Sequence, residues 1–261
     1  MLTVQLLIST MKQTDFSLIE KMNIQTDAIV INQCDRYEYH EIIRDNFIVK
    51  WFNVAEKGLS RSRNIALSKA TGDICLLVDD DEIMKDGYAD IIVKEFEKQP
   101  KAGLVTFNLK SIGNVSKRYV NKERKRLYFF NIMRYGSARI AFNRSLILNR
   151  RICFAPNFGA GSEISCGEDS LFLHDCLQKG IIAYSSPEYI ADIDDGEGNS
   201  SWFNGYTEKY FFDLGAIFKA MSPKYCNLWI LQFIIRHKSK TNELGFYKCL
   251  SMMNKGKRAY R

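Results

Sequence analysis

The stretch at residues 58–83, GLSRSRNIALSKATGDICLLVDDDEI, decides how the rest of the chain is read. Its first part, 58–72, has helical spacing. Ala66, Leu67 and Ala70 fall on one side, Ser60 or Ser62 is placed to cap the start, and Gly72 stops the run. Its second part, 73–79, is short and continuously apolar, as expected of a strand covered on both faces. That strand ends in four consecutive acids, Asp79, Asp80, Asp81 and Glu82. Like charges this close repel by about 1 kcal/mol per pair even in water, so the cluster needs full solvent or a cation. In extended backbone Asp79 and Asp81 share a face and Asp80 takes the other. Two hard carboxylates at a strand end suit Mg2+ or Mn2+, with phosphate oxygens completing the shell. A solvated turn, with Asp81 capping the next helix, accounts for the same residues.

The same rhythm extends on both sides. Strands are expected at 4–9, 27–35, 46–53 and 102–109, and helices at 15–24, capped by Thr14 or Asp15, and at 87–99. This alternation indicates an α/β domain with a largely parallel sheet. In such sheets ligands sit outside the carboxyl ends of the strands, where the acidic cluster falls. After residue 110 the rhythm breaks. The basic stretch 116–130 reads as a loop or helix, 137–147 and 181–187 have strand character, and 167–180 has a helical period. From Trp202 the chain reads as mainly helical.

A second acidic pair stands in FGAGSEISCGEDSLFL, residues 158–173. Glu168 and Asp169 fall in the first turn of the expected helix, where negative side chains favour the helix dipole. For an isolated pair that explanation would suffice.

Taken together, the two stretches resemble the inverting family 2 glycosyltransferases, whose nucleotide-sugar-binding fold is called GT-A. Members carry a G-x-S-x-A-R-N helix, a Gly-Asp turn, an apolar strand and an acidic triplet, then G-E-D some 90 residues later. Ser62 stands here where Ala is common. The resemblance covers roughly residues 1–200. It implies that Asp79 contacts nucleotide and metal, that Asp81 is the main metal ligand, and that Arg63 lies on the nucleotide side, with Gly58, the motif's first glycine. Thr10 and Asp35 match positions flanking base and ribose, although the strand ends STMK and QCDR depart from the usual P-T-Y-N and D-D-G-S. The same resemblance places the catalytic base at Glu168-Asp169, usually on the Asp. It leaves Gly159 and Gly161 either approaching an acceptor sugar or simply turning the chain.

The chemistry asks for both acidic sites. An inverting transfer is one in-line displacement at the anomeric carbon, so a carboxylate on the acceptor side must take the hydroxyl proton. We assign that to Asp169, with Glu168 holding it or a second hydroxyl. Charge builds on the departing diphosphate, and a cation at Asp81 neutralises it. The two clusters are therefore expected about a sugar's width apart. The donor would be a UDP- or GDP-sugar, and the acceptor a saccharide or lipid-linked saccharide in surface polysaccharide synthesis.

Composition limits the alternatives. The chain has 261 residues, 46% of them hydrophobic, with 4 Pro and no internal repeat. The start lacks a basic leader region, and no apolar run approaches the roughly 18 residues of a membrane span. Seven scattered Cys without a C-x-x-C pair suggest reduced thiols in the cytoplasm. His40, His174 and His237 show no metal-ligand spacing. The formal charge is +7, and residues 223–261 carry nine Lys or Arg against Glu243 alone. The expected organisation is a GT-A domain over 1–200, with nucleotide half 1–110 and acceptor half 111–200, then a basic helical extension over 201–261. That extension suits an in-plane membrane helix at the inner face of the cell membrane, or an ordinary helix packed on the domain. A nucleotidyltransferase also uses an acidic α/β site, but STMKQTD is not its Gly-rich basic loop. A non-catalytic basic module for nucleic acid ranks last, because the expected mouth is acidic; no nucleic-acid partner is expected. The segment 192–202 supplies Asp194 or Asp195 near the diphosphate, or is a solvated loop.

Overall fold

The computed structural model describes residues 2–112, 119–194 and 205–260. The basic stretch from 116 therefore lies partly, and the segment 192–202 mostly, outside the described residues. In the first half the chain runs β1 (Val4–Met11), α1 (Leu18–Lys21), β2 (Ala28–Gln33), β3 (Glu38–Ile43), β4 (Ile48–Val54), α2 (Leu59–Lys69) and β5 (Ile74–Asp79). There follow β6 (Glu82–Met84), α3 (Tyr88–Lys98) and β7 (Leu104–Ser111). The second half adds β8 (Lys125–Leu127), β9 (Ile140–Asn143), α4 (Arg144–Asn149), α5 (Glu168–Gln178) and β10 (Ala183–Ile193). Four helices close it: α6 (Glu208–Met221), α7 (Cys226–Arg236), α8 (Lys238–Thr241) and α9 (Phe246–Ala259).

One sheet carries the strands in the order β3-β4-β2-β1-β5-β9-β7-β10-β6, with β8 beside β10. β4, β2, β1 and β5 pair in parallel, and so do β7 and β10. β9 runs antiparallel between β5 and β7, so these two point the same way. The sheet is thus largely parallel, and its central strands read as unbroken apolar runs because helices cover both faces. Alternation sorts them. Leu6, Ile8, Val30 and Leu76 face α1 and α3 through Leu18, Tyr88 and Ile92. Leu7, Ile29, Ile31 and Leu77 face α2 and α5 through Ala66, Leu67 and Phe172.

Four expectations need correction. The stretch 137–147 is strand only at β9, because the Asn143 side chain accepts from Leu146 N–H and starts α4. The helix at 15–24 shrinks to α1, because the Asp15 carboxylate accepts from the backbone N–H and hydroxyl of Ser17 and holds a turn there. Neither Ser60 nor Ser62 caps α2. Their hydroxyls donate to Phe158 O at 2.7 Å and Ser9 Oγ at 2.8 Å, and Gly58 occupies the cap position. Asp81 does not cap a helix either, since β6 intervenes and α3 starts after Gly87. Three strands went unread: β6 and β8, of three residues each, and β3, an exposed, mostly polar edge strand antiparallel to β4 with no apolar run to mark it.

The C-terminal helices have a core of their own around Phe211, Cys226, Ile230, Ile234, Cys249 and Met253. α6 and α9 cross so closely that a Cβ on Gly215 would lie 2.0 Å from Met253 O. No helix among the described residues is long and apolar enough to cross a membrane. The seven cysteines form no disulfide.

Candidate functional site

The site is built at the carboxyl edge of β1, β2 and β5. Parallel pairing sets Ser9 of β1 beside Asp79 of β5. α2 lies over β1, pinned by the Ser62–Ser9 hydrogen bond, and this brings Arg63 above the strand ends. Arg63 is 2% exposed. Its guanidinium donates to Asp79 Oδ1 at 3.0 Å, Glu168 Oε1 at 3.2 Å and Asp169 Oδ1 at 2.7 Å. The Phe154 ring covers it, with its centroid 5.5 Å from the guanidinium carbon. Burial opposes the positive charge, but Asp169, Asp79 and Glu168 overcome that, and the Arg63 pKa rises. For Glu168 burial comes first and the neighbouring Asp169 charge second; together they outweigh Arg63 and raise its pKa to about 7.

The acidic pair reaches Arg63 by packing. The loop before α5 is tied to the start of α2: Leu59 N–H donates to Ala160 O at 2.9 Å, and Ser60 Oγ to Phe158 O. Asn64 clasps the backbone of Phe154, donating to its O and accepting from its N–H, both at 2.8 Å. A Cβ on Gly159 would sit 3.1 Å from Glu168, so that glycine makes room for the carboxylate. Gly167 precedes α5 with φ +94°, and a Cβ there would lie 2.5 Å from Ile217 of α6. Only glycine satisfies both conditions. α6 also holds this loop through Asp213, which accepts from Ser165 N–H at 3.2 Å and from its hydroxyl at 2.6 Å.

The other expected residues fall as follows. Thr10 donates to Asp80 Oδ2 at 2.5 Å and accepts from Gln13 at 3.0 Å. Gly58 N–H donates to Gln33 Oε1 at 2.8 Å, and Gly161 packs against Gly58. Asp35 projects beyond β2, 91% exposed, with Arg36 at 3.6 Å. Alternation does not carry through to Asp81, because β5 ends at Asp79 and Asp80-Asp81 form a turn. Asp81 O accepts from Asp194 N–H at 3.3 Å, so the end of β10 lies beside the acidic turn. Gly159 and Gly161 turn the chain with φ +99° and +78°, and pack close to Glu168 and Gly58. Asp79 of the first acidic cluster and both members of the second touch one guanidinium.

Four contributors escaped the sequence reading: Asn64, Phe154, Gln33 and Asp213. Asn64 alone left a signal, as the last letter of the Arg-Asn pair, while the rest act through contacts distant in sequence. No group of three or more His, Cys, Asp or Glu among the described residues is placed to hold a metal ion. A cation completed by substrate phosphates needs only one or two carboxylates. Asp79, 36% exposed at the end of β5, and Asp81 in the turn after it carry hard oxygens of the type such a cation takes.

The profile of glycosyl transferase family 2 matches residues 9–153, more than half of the chain. The chain belongs to this family. That membership sets aside the nucleotidyltransferase and the nucleic-acid module. Solved structures of S. aureus TarS share the fold. Its residues 1–349 in complex with UDP-GlcNAc align with TM-score 0.63 and 14% identity, covering 84% of this chain and 66% of that one. The same fragment with UDP gives 0.61 and 13%, covering 84% and 65%. The chain thus spans just under two thirds of these relatives. No curated protein matches the sequence.

Proposed function

We propose that this family 2 chain transfers a sugar, with inversion, from a nucleoside diphosphate donor to a saccharide or lipid-linked saccharide in surface polysaccharide synthesis. The observation that carries the reading is the gathering of Asp79, Glu168 and Asp169 on the buried Arg63 at the carboxyl edge of the sheet. Donor-side and acceptor-side carboxylates are thereby held in one fixed frame. TarS in complex with UDP-GlcNAc and with UDP supports a uridine nucleotide as the first donor to test, with GDP second.

In this reading Thr10, Asp35, Gly58 and Arg63 line the nucleotide side. Asp79 and Asp81 would hold Mn2+ or Mg2+, which supplies countercharge to the diphosphate when bound. Asp169, 22% exposed against 9% for Glu168, faces the acceptor more openly. Glu168 is more deeply buried beside Arg63 and is the less accessible of the two carboxylates. An acceptor hydroxyl oxygen attacks the anomeric carbon, its proton passes to Asp169, and the bond to the diphosphate oxygen breaks on the opposite face. Arg63 orients Asp169 through the 2.7 Å hydrogen bond. The basic C-terminus would bring the enzyme to the inner face of the cell membrane, where a lipid-linked acceptor resides.

Calorimetry with UDP and GDP, with Mn2+ and with EDTA, tests the donor site. Metal-dependent binding lost in Asp81→Asn is expected; no nucleotide binding by folded protein would end the reading. Asp169→Asn should keep nucleotide affinity within about twofold while transfer falls by about 10²–10⁴. Unchanged transfer would move the base elsewhere.

A further inference from the structure

α7 is apolar on two opposite faces. Cys226, Ile230 and Ile234 point inward and are buried against the other C-terminal helices. Leu228, Leu231 and Ile235, at spacing i, i+3, i+7, point outward and are 64%, 46% and 56% exposed. A helix that only packed on the domain would carry polar residues on that side. Instead Tyr225 and Trp229, both exposed, flank the outward stripe on one side. Basic residues frame it, with Lys224 before the helix, Arg236 at its last position and Lys238 after it, all exposed. From 224 to 260 eight Lys or Arg stand against one acid, Glu243.

We propose that the outward face of α7 lies in the headgroup region of an anionic lipid bilayer. This deepens the membrane contact proposed above and rests on it, naming the surface that makes it. The stripe supplies apolar area at a depth that an in-plane helix reaches, aromatic side chains sit at its edge, and the basic frame meets anionic headgroups. At 11 residues α7 lies on the membrane and does not cross it. A second copy of the chain is the poorer occupant. A twofold pairing through this face would set the two basic frames against each other.

The test is cosedimentation of the full chain with vesicles of phosphatidylcholine alone and with added phosphatidylglycerol. Wild type should bind the anionic vesicles, weakening with salt, and the variant L228E/L231E/I235E should bind them at least about tenfold less. The three side chains are exposed, so the variant should fold; an unchanged circular dichroism spectrum and nucleotide affinity check this. Binding that survives in the triple variant but is lost in R236A/K238A overturns the α7 face and keeps the membrane contact. No binding by wild type overturns both, while nucleotide calorimetry still judges the transferase reading separately. Dimerisation of wild type that the triple variant abolishes, without vesicle binding, would assign the face to a second copy and overturn the proposal.

Discussion

Two regions bring carboxylates to the same guanidinium by different means. Asp79 is 16 residues from Arg63 and arrives through strand register and one helix crossing. Glu168 and Asp169 are 105 and 106 residues away. They arrive through a loop fixed on α2 and braced by α6. The first arrangement is nearly local, so β5 and α2 carry it wherever they fold. The second depends on packing between the sheet domain and the C-terminal helices. α6 is therefore a structural part of the site, although no residue of it touches Arg63 among the interactions described.

Arg63→Met breaks both arms at once and should have the largest effect on stability. Three carboxylates would remain around a buried position without their counter-charge, a loss of about 3–5 kcal/mol in urea unfolding at pH 7.5. The loss should shrink at pH 5, where Glu168 keeps its proton. An equal loss at both pH values would mean that packing on Phe154, not charge, is Arg63's main contribution.

Gly167→Ala attacks only the distant arm. It forces a Cβ into a left-handed backbone and onto Ile217, for about 3 kcal/mol. Adding Ile217→Ala should return the part due to collision and leave the backbone strain. If the double variant recovers nothing, α6 does not brace the loop through this contact.

The pH response sharpens the same contrast. Burial and then the charge of Asp169 raise Glu168 from its ordinary 4.5 to about 7, so the folded protein holds this proton more tightly than the unfolded chain. Its contribution to stability is full below about pH 4.5 and is lost as the pH rises through 7. Glu168→Gln should flatten the fall of the urea midpoint between pH 5 and pH 8. A slope equal to wild type would assign the response to other groups.

The smallest effect belongs to the local arm. Thr10→Val removes the donor to Asp80 and should cost about 1 kcal/mol, with Asp80 turning to solvent. A larger cost would mean that the acidic turn relies on β1 more than on β5.

Much of this was legible in the residues. The continuously apolar runs of β1, β2, β5 and β7 identify strands covered on both faces, and the acids after Val78 mark a strand end at the ligand edge. The polar edge strand β3 was not legible, because exposed alternation without an apolar run looks like a loop. The roles of Ser60 and Ser62 were misread for a related reason: a cap is a local explanation, and both hydroxyls are used in tertiary contacts with Phe158 and Ser9. For the C-terminal extension the sequence left an in-plane membrane helix and a packed helix both open; only the packing shows that half of the aliphatic stripe of α7 faces outward.

The sequence by itself determined most of the alternating strands and helices of the first half, a largely parallel sheet and the two acidic clusters, because backbone periodicity and side-chain charge are properties of neighbouring residues. Only the tertiary structure decided that these sites converge on Arg63, that Gly167 must admit Ile217, and which face of α7 is left exposed. Each of these depends on distances between residues far apart in the chain, which loop closure and packing fix and local sequence does not encode.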